Sequence, residues 1–264
     1  MTPKRAVAGG GIGLIVLAVA AMIFGIDPGV VMQIGQEIGV GQQSRQPVQR
    51  SAAEAEQVEF VKVVLADTED TWNTLFAQAG LAYREPRLVL FSGAVNSACG
   101  YAQAAMGPFY CPEDQKVYID LQFYQELTHK FGAPGDFAQA YVIAHEIGHH
   151  VQTLLGISDQ VRQAQSGSSK TEGNAIQVGM ELQADCFAGV WAHHANRTRH
   201  LLEQGDIEEG LNAAAAIGDD TLQRKAQGRV VPESFTHGSS KQRQHWFSRG
   251  LQTGNIPDCN TFAE

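Results

Sequence analysis

The sequence lacks an excess of positive charge. Its 264 residues include 19 lysines and arginines against 28 aspartates and glutamates, which gives a formal net charge of −9. No stretch of the chain concentrates basic side chains into the kind of patch that binds nucleic-acid phosphates. We therefore predict no nucleic-acid partner, and we expect the acidic surface to serve solubility.

Cysteine is scarce, and no pair has the Cys-x-x-Cys spacing typical of a thiolate zinc site. The four residues are Cys99, Cys111, Cys186 and Cys259. In an oxidising compartment they allow three disulfide pairings, and the sequence does not choose between them. A Cys99–Cys111 bridge closes a short loop and is the easiest local pairing, and Cys186–Cys259 would then tie the tail to the middle of the chain. Four buried thiols are the alternative.

One long run near the N-terminus is free of charge and rich in leucine, isoleucine, valine and alanine. It covers residues 6–26 and directly follows Lys4 and Arg5. A run of this length can cross the roughly 30 Å hydrocarbon layer of a bilayer, and the basic pair predicts that its N-terminal side stays in the cytoplasm. A cleaved signal peptide is the alternative, because Ala18-Val19-Ala20 resembles a cleavage site. The run continues past it through Phe24, which favours an uncleaved, single-pass anchor in the bacterial inner membrane.

This anchor divides the chain into three predicted parts. Residues 1–26 form a cytoplasmic stub and transmembrane anchor, residues 27–50 form a linker rich in glycine and glutamine, and residues 51–264 form the periplasmic domain. The Ser-Ala-Ala-Glu stretch that opens the third part matches a capping box. The apolar periodicity behind it predicts a helix to about Gln78.

Strand-like segments precede most of the helical segments in this domain. We predict a strand at Arg87–Phe91 and a hairpin of Phe109–Cys111 with Lys116–Asp120. The other predicted elements are helices at about 121–130, 137–155 (capped by Asp136), 176–196 and 206–217 (capped by Asp206), with a mobile polar loop at 165–174. The order predicts an α+β fold, with a small antiparallel or mixed sheet beside the helices of the active site.

A His-Glu-x-x-His motif lies in an apolar, helix-compatible stretch, from His145 through Glu146 to His149. Side chains four residues apart share one face of a helix, so the two histidines can bind the same ion. Glu146 then lies beside the ion, where a carboxylate can act as the base on a metal-bound water. The alternative is a chance pair of histidines. His150 cannot share their face, and we interpret it as a packing or supporting residue.

A second helix offers the missing ligand. Catalytic zinc takes three protein ligands and leaves one position for water. Glu181 and Asp185 are four residues apart, so Glu181 can bind the ion while Asp185 accepts the free ring N–H of a ligating histidine. An acidic pair on a solvated face is the alternative. The apolar flanks argue against it, because a buried charge needs a partner.

The C-terminal region adds His237 and Arg243 on a polar turn that contains glycine and serine. These side chains can hold a developing oxyanion or a substrate carboxylate, although a plain polar loop is equally compatible with the pattern. We expect the remaining histidines at the periphery or on the surface: His129, His193, His194, His200 and His245.

These residues together resemble the bacterial neutral zinc metallopeptidases of the YpfJ-like family. The resemblance extends over nearly the whole chain, and its main blocks after the anchor are Gly107–Pro112, Phe137–Gln152, Glu181–Trp191, Gly218–Asp220 and Phe235–Gly238. The chain is also similar to the glutamate-zincins, including the membrane CAAX proteases, in which HExxH is followed by a Glu-x-x-x-Asp helix. Those proteases have several spanning helices and this chain shows one, so their lipid-embedded substrates are not implied.

The resemblance implies a zincin-like domain that binds one Zn²⁺. Its ligands would be His145, His149 and Glu181. Glu146 would be the catalytic base, Asp185 the partner of His145, and His237 the histidine near the oxyanion. Arg243 matches the downstream arginine of those proteases only loosely.

We therefore expect a membrane-anchored, periplasmic zinc endopeptidase that acts on a peptide or protein substrate. An extended substrate would add to the sheet along residues 117–120. Two alternatives stay open at this point: a zinc amidase that acts on cell-wall peptides, and a non-catalytic binding module that zinc stabilises.

Overall fold

The structure of the protein, a computed structural model, describes residues 51–103 and 107–263. The predicted anchor at residues 6–26 and the linker at residues 27–50 lie outside this part of the chain. Within the described ranges, we find no helix that combines the length and the apolar character needed to cross a bilayer.

Helix α1 (Ala52–Gln78) begins at the predicted capping box. The Glu54 N–H donates to Ser51 Oγ at 3.2 Å, and the Ser51 N–H donates to the Glu54 carboxylate at 2.8 Å. One face of α1 buries Trp72 and Phe76 in the core. The capping box therefore predicted the start of the domain's first described helix correctly.

Three strands form a mixed sheet in the order β1-β5-β4, where β1 is Arg87–Phe91, β4 is Phe109–Cys111 and β5 is Lys116–Asp120. β5 pairs with β4 antiparallel, as the predicted hairpin requires, and with β1 in parallel. The strand prediction is confirmed. The expected addition of substrate along residues 117–120 is wrong, because β5 is the central strand: β1 pairs with its whole length and β4 pairs with residues 116–118. Val117 and Ile119 are fully buried, as expected for a central strand.

A separate two-stranded ribbon joins β2 (Ala94–Ser97) to β3 (Gly100–Gln103). Cys99 lies in the turn of this ribbon, and the Cys99–Cys111 disulfide links the turn to β4. The local pairing that the sequence favoured is therefore present.

The helical layer follows the sheet. A short helix α2 (Phe123–Glu126) continues into one π-helical turn (Leu127–Phe131), in the region of the predicted helix at 121–130. The later helices are α3 (Asp136–Leu154), α4 (Ile157–Ser166), α5 (Lys170–Arg199), α6 (Asp206–Ala216), α7 (Asp219–Gln227) and α8 (Ser240–Thr253), with 3₁₀ turns at Pro232–Ser234 and Ile256–Cys259. The described chain is thus α+β and mostly helical, with α5 packed against both α3 and α8.

The prediction of a mobile loop at residues 165–174 is wrong. α4 extends to Ser166 and α5 begins at Lys170, so only a short turn separates them. The Ser169 N–H donates to the Glu172 carboxylate at 2.9 Å, and the Glu172 N–H donates to Ser169 Oγ at 3.3 Å. The polar, Gly/Ser-rich composition of this segment is typical of a loop, but the segment contains a second capping box, which starts a helix.

The N-caps predicted at Asp136 and Asp206 are each displaced by one residue. Gly135 and Gly205, both with positive φ, occupy the cap positions, and each aspartate is the first residue of its helix. An acidic side chain in the first turn still interacts favourably with the positive end of the helix dipole.

Candidate metal centre

Helices α3 and α5 bring the three predicted ligands together. One ligand atom from each of His145, His149 and Glu181 lies within 4.8 Å of the others. Glu181 Oε2 is 3.2 Å from His145 Nε2 and 3.4 Å from His149 Nε2. Gly148 permits this approach, because a Cβ atom there would lie 2.9 Å from the carbonyl oxygen of Ala184 on α5. The glycine inside the motif therefore allows close packing of the two helices.

The second ring nitrogen of His145 is bound by Asp185. Asp185 Oδ1 accepts from His145 Nδ1 at 2.8 Å and from the Tyr141 hydroxyl at 2.5 Å. Arg243 donates to both carboxylate oxygens at 2.8 Å. Asp185 therefore lies at the predicted position, and Tyr141 is an additional partner that was not predicted. The signal for Tyr141 was its position four residues before His145 on the same helix face.

The second ring nitrogen of His149 has a different partner. His149 Nδ1 lies 2.8 Å from Gln152 Oε1. Gln152 was not predicted, because a neutral side chain three residues after the motif gives no charge signal. Both candidate ligand histidines are thus held at Nδ1, which leaves each Nε2 beside Glu181.

Charges within the cluster change the pKa values of its members. Burial alone would lower the pKa of His145, but Asp185 and Glu181 outweigh it and raise the pKa to about 9. Burial would raise the pKa of the Glu181 carboxyl, but the two histidines hold it well below its usual range. The cluster therefore favours positive charge at its centre. Two imidazole nitrogens and one carboxylate oxygen are also the donor set of many catalytic zinc sites, so the residues fit a Zn²⁺ ion.

Glu146 is 7% exposed and lines the same cavity as the three candidate ligands. This cavity has a volume of about 400 Å³, and much of its wall is apolar: Pro108, Phe109, Phe123, Phe131, Val142, Ile217 and Leu222. A second cavity of about 260 Å³ shares His149 and Glu181 with the first and is more polar, with Thr153, Ser158, Arg162, Gln165 and Gln177 in its wall. The candidate ligands therefore lie where two cavities meet.

His237 lies in the loop before α8 and lines the first cavity. Asp219 holds this loop in place. Its Oδ2 accepts hydrogen bonds from three consecutive backbone N–H groups, those of Thr236 at 2.7 Å, His237 at 2.6 Å and Gly238 at 3.0 Å. His237 Nδ1 is 3.0 Å from Thr236 Oγ1 and 3.5 Å from Asp219 Oδ1. Two sequence blocks that stood apart, around residues 218–220 and 235–238, thus form one unit.

Arg243 lines the first cavity, and its expected contact with an oxyanion or a substrate carboxylate stays a prediction. It is 2% exposed, and its guanidinium donates to Asp185, to the Tyr141 hydroxyl at 3.2 Å and to the Ile217 carbonyl at 3.4 Å. The sequence placed Arg243 on a polar turn, but the residue lies in the first turn of α8, which packs against α5. The geometry gives it a supporting role behind His145.

The other histidines take no part in the cluster. His150 Nε2 donates to the Arg84 carbonyl and its Nδ1 accepts from the Tyr110 hydroxyl at 3.0 Å, which confirms a packing role. His193 and His194 donate to the carbonyls of Leu251 and Gly254. The exposed ones are His129, His200 and His245.

The centre combines an HExxH helix, whose glutamate lines the cavity, with a second glutamate from a neighbouring helix. This combination is typical of a zinc-hydrolase type of centre. A family model described as "Putative neutral zinc metallopeptidase" matches residues 2–262. The chain belongs to this family, as the sequence resemblance predicted.

Two relatives illustrate the similarity. The chain is 51% identical over 255 residues to "Uncharacterized protein YpfJ" of Escherichia coli (strain K12). The aligned region covers 97% of this chain and 87% of that protein. It is 40% identical over 267 residues to an uncharacterized protein of Mycobacterium tuberculosis (strain H37Rv). That aligned region covers 92% of this chain and 85% of the relative. No solved structure is significantly similar to the chain, so the zincin-like fold stays a prediction.

Proposed function

We propose that this chain is a zinc-dependent endopeptidase that holds one Zn²⁺ through His145, His149 and Glu181. The observation that carries the proposal is the position of their ligand atoms, within 4.8 Å of one another, in a cavity that Glu146 also lines. Membership of a zinc metallopeptidase family supports the reaction class.

Bound zinc would supply Lewis-acid chemistry, by polarising the substrate carbonyl and lowering the pKa of a water molecule. Glu146 accepts the proton of the attacking water and then passes it to the leaving amine. Asp185 holds the Nδ1–H of His145, which keeps the Nε2 lone pair free for the ion. His237, with Nδ1 engaged by Thr236, offers Nε2 to the developing oxyanion.

Cleavage within a chain is favoured by the form of the cleft. His149 and Glu181 line both cavities, so a substrate can extend to either side of the scissile bond. An exopeptidase needs a charged group to hold a chain terminus. Apart from Glu146 and the candidate ligands, the one buried charged side chain among the described residues of these walls is Arg243, which is already paired with Asp185. Glu126 and Arg162 form solvent-exposed pairs with Lys130 and Glu113.

The proposal also places the enzyme at the inner membrane, with residues 6–26 as the anchor and the domain from residue 51 onward in the periplasm. The charge-free run behind Lys4 and Arg5 supports the anchor. The disulfides Cys99–Cys111 and Cys186–Cys259 support an oxidising location for the domain.

The substitution Glu146→Gln tests the reaction. We expect zinc content to stay at the wild-type level, because Glu146 is not a proposed ligand. Hydrolysis of an unfolded, casein-like polypeptide should fall by about 10²-fold or more, since a positioned base contributes at least that much. The measurements are metal analysis of the purified protein and fluorescence release from the labelled polypeptide. Glu56→Gln, at an exposed position on α1, is the matched control.

Each alternative has its own result in the same experiment. Wild-type rates in Glu146→Gln would contradict the assignment of the base. A wild-type protein that binds zinc but cleaves no unfolded polypeptide would be a zinc-stabilised binding module. Faster trimming of purified peptidoglycan than of polypeptide would indicate a zinc amidase.

A further inference from the structure

A chain of buried amide groups leads away from the second ligating histidine. His149 Nδ1 is 2.8 Å from Gln152 Oε1, and Gln152 Nε2 is 3.0 Å from Gln183 Oε1. Gln183 Nε2 donates to the Cys259 carbonyl at 2.9 Å. Gln152 is fully buried and Gln183 is 6% exposed, so water does not compete for these hydrogen bonds. The chain links a candidate zinc ligand to the C-terminal tail.

Two backbone carbonyls determine the direction of every bond in this chain. A carbonyl only accepts, so the Cys259 oxygen requires the NH₂ group of Gln183 to face it. The Met180 oxygen, 2.7 Å from Gln152 Nε2, likewise requires the NH₂ group of Gln152. Gln152 Oε1 must then face His149, and only a protonated Nδ1 can donate to it. His149 is thereby held in the tautomer whose Nε2 lone pair is free for a metal.

The far end of the chain is fixed by a covalent link. Cys259 forms a disulfide with Cys186, which lies on α5 next to Asp185. The tail is held to α5 a second time where the Thr261 hydroxyl donates to the Gly179 carbonyl at 2.5 Å. The disulfide therefore fixes the acceptor that orients Gln183.

The two ligating histidines are supported in different ways. His145 donates to Asp185, a carboxylate whose charge Arg243 balances. A charged side chain at position 152 would need a similar counter-charge. Among the described residues, the hydrogen-bond partners of Gln152 are His149, the Met180 carbonyl and the neutral Gln183. A neutral amide can orient His149 without that requirement.

We propose that Gln152 and Gln183 are positioning residues for the metal ligand His149, and that the Cys186–Cys259 disulfide strengthens zinc binding by fixing the end of this amide chain. The proposal rests on the proposed zinc site but not on peptidase activity. Its test is zinc affinity, so it can fail while the enzyme still cleaves peptides, and it can hold if no peptide is cleaved.

The first experiment measures the Zn²⁺ dissociation constant of the full chain by competition with a chromophoric chelator. We expect about 10–100-fold weaker binding in Gln152→Leu, the usual effect of losing a residue that orients a metal ligand. Gln183→Leu should weaken binding less, because Gln152 keeps its bond to the Met180 carbonyl. Gln160→Leu, at an exposed position on α4, is the matched control and should bind as wild type does.

A spectroscopic signature separates positioning from general stability. In ¹⁵N NMR of the zinc-loaded protein, a slowly exchanging Nδ1–H of His149 should be present in wild type and lost or fast-exchanging in Gln152→Leu. Wild-type zinc affinity in Gln152→Leu would overturn the proposal. If that variant does not fold, Gln183→Leu decides in its place: weaker zinc binding supports the proposal and unchanged binding overturns it.

The second experiment tests the disulfide by a double-mutant cycle. Replacing Cys186 and Cys259 together by alanine should weaken zinc binding in the wild-type background. The same replacement should have little further effect in the Gln183→Leu background, because the amide chain is already broken. Equal losses in both backgrounds, or no loss in either, would show that the disulfide does not act on the metal through Gln183.

Discussion

At the scale of single residues, buried carboxylates organise the site. Asp185 is fully buried, and its partners Arg243 and His145 outweigh the effect of burial and lower its pKa to about 2. Because Arg243 compensates this charge, Arg243 stabilises the position of His145 through Asp185. Breaking such a buried pair from one side typically costs about 3–5 kcal/mol, since the remaining charge is left uncompensated.

Asp219 has the corresponding role for the loop of His237. Burial alone would raise the pKa of the Asp219 carboxyl, but bonds from the side chain and backbone of His237 and the N–H of Thr236 hold it below its ordinary value. In Asp219→Ala, three backbone N–H groups lose their acceptor. We expect kcat/KM to fall with zinc content unchanged, and the free energy of unfolding to fall by about 1–3 kcal/mol.

The pH dependence of this loss has a definite sign. The pKa of Asp219 is depressed in the folded state, so its contribution to stability is complete above the ordinary pKa of 3.8 and disappears as pH falls through the lower folded value. The free energies of unfolding of wild type and Asp219→Ala, measured with urea, should therefore converge as the pH falls below about 4. Asp159→Ala, at an exposed aspartate, is the control. An undiminished difference at low pH would contradict this account of the loop.

At the scale of elements, glycine sets the distances between the site helices. Gly189 on α5 and Gly250 on α8 face each other's helices, and a Cβ atom on Gly250 would overlap with the carbonyl oxygen of Cys186. The α5–α8 contact matters for the site because α8 carries Arg243 and α5 carries Asp185. Both helices must approach closely for these side chains to meet.

We predict opposite effects for two glycine substitutions within helices. Gly250→Ala should lower the free energy of unfolding by about 1–3 kcal/mol or more, because overpacking forces the backbones apart. Gly173→Ala, in α5 with open space around the new methyl group, should raise it by about 0.5–1 kcal/mol through better helix propensity. Denaturant unfolding of both variants checks the prediction. A neutral Gly250→Ala would mean that α5 and α8 pack less tightly than described.

At the scale of the whole molecule, the proposed location and the disulfides support each other. The Cys186–Cys259 bridge joins residues 73 positions apart and closes the C-terminal tail onto α5, while Cys99–Cys111 joins residues 12 positions apart. In the entropic model, the longer loop contributes more stability, about 4–5 kcal/mol against about 3 kcal/mol. Such bridges persist in an oxidising compartment.

We predict that the domain from residue 51 onward is accessible from the periplasm in intact cells. Protease added to spheroplasts should degrade it, while a cytoplasmic marker protein stays intact. The chain should sediment with membranes, and a thiol-alkylating reagent should label none of its four cysteines without prior reduction. Protection from protease together with free thiols would contradict the proposed topology.

The sequence by itself determined the local features of this protein. The HExxH spacing identified His145 and His149 as one helix face, the capping box identified the start of α1, and the turn at residues 112–115 identified the β4–β5 hairpin. These features depend on helical and strand periodicity and on turn chemistry, which act over a few neighbouring residues. Periodicity also explains why Glu181 and Asp185 were recognisable as a pair.

Only the tertiary structure decided which distant residues meet. It placed β5 in the centre of the sheet, paired Arg243 with Asp185, and connected Gln152 through Gln183 to Cys259. A neutral amide or a buried arginine leaves no local pattern, because its role depends on partners far away in the chain. Burial makes those partners obligatory, since an unpaired polar group in the core costs free energy.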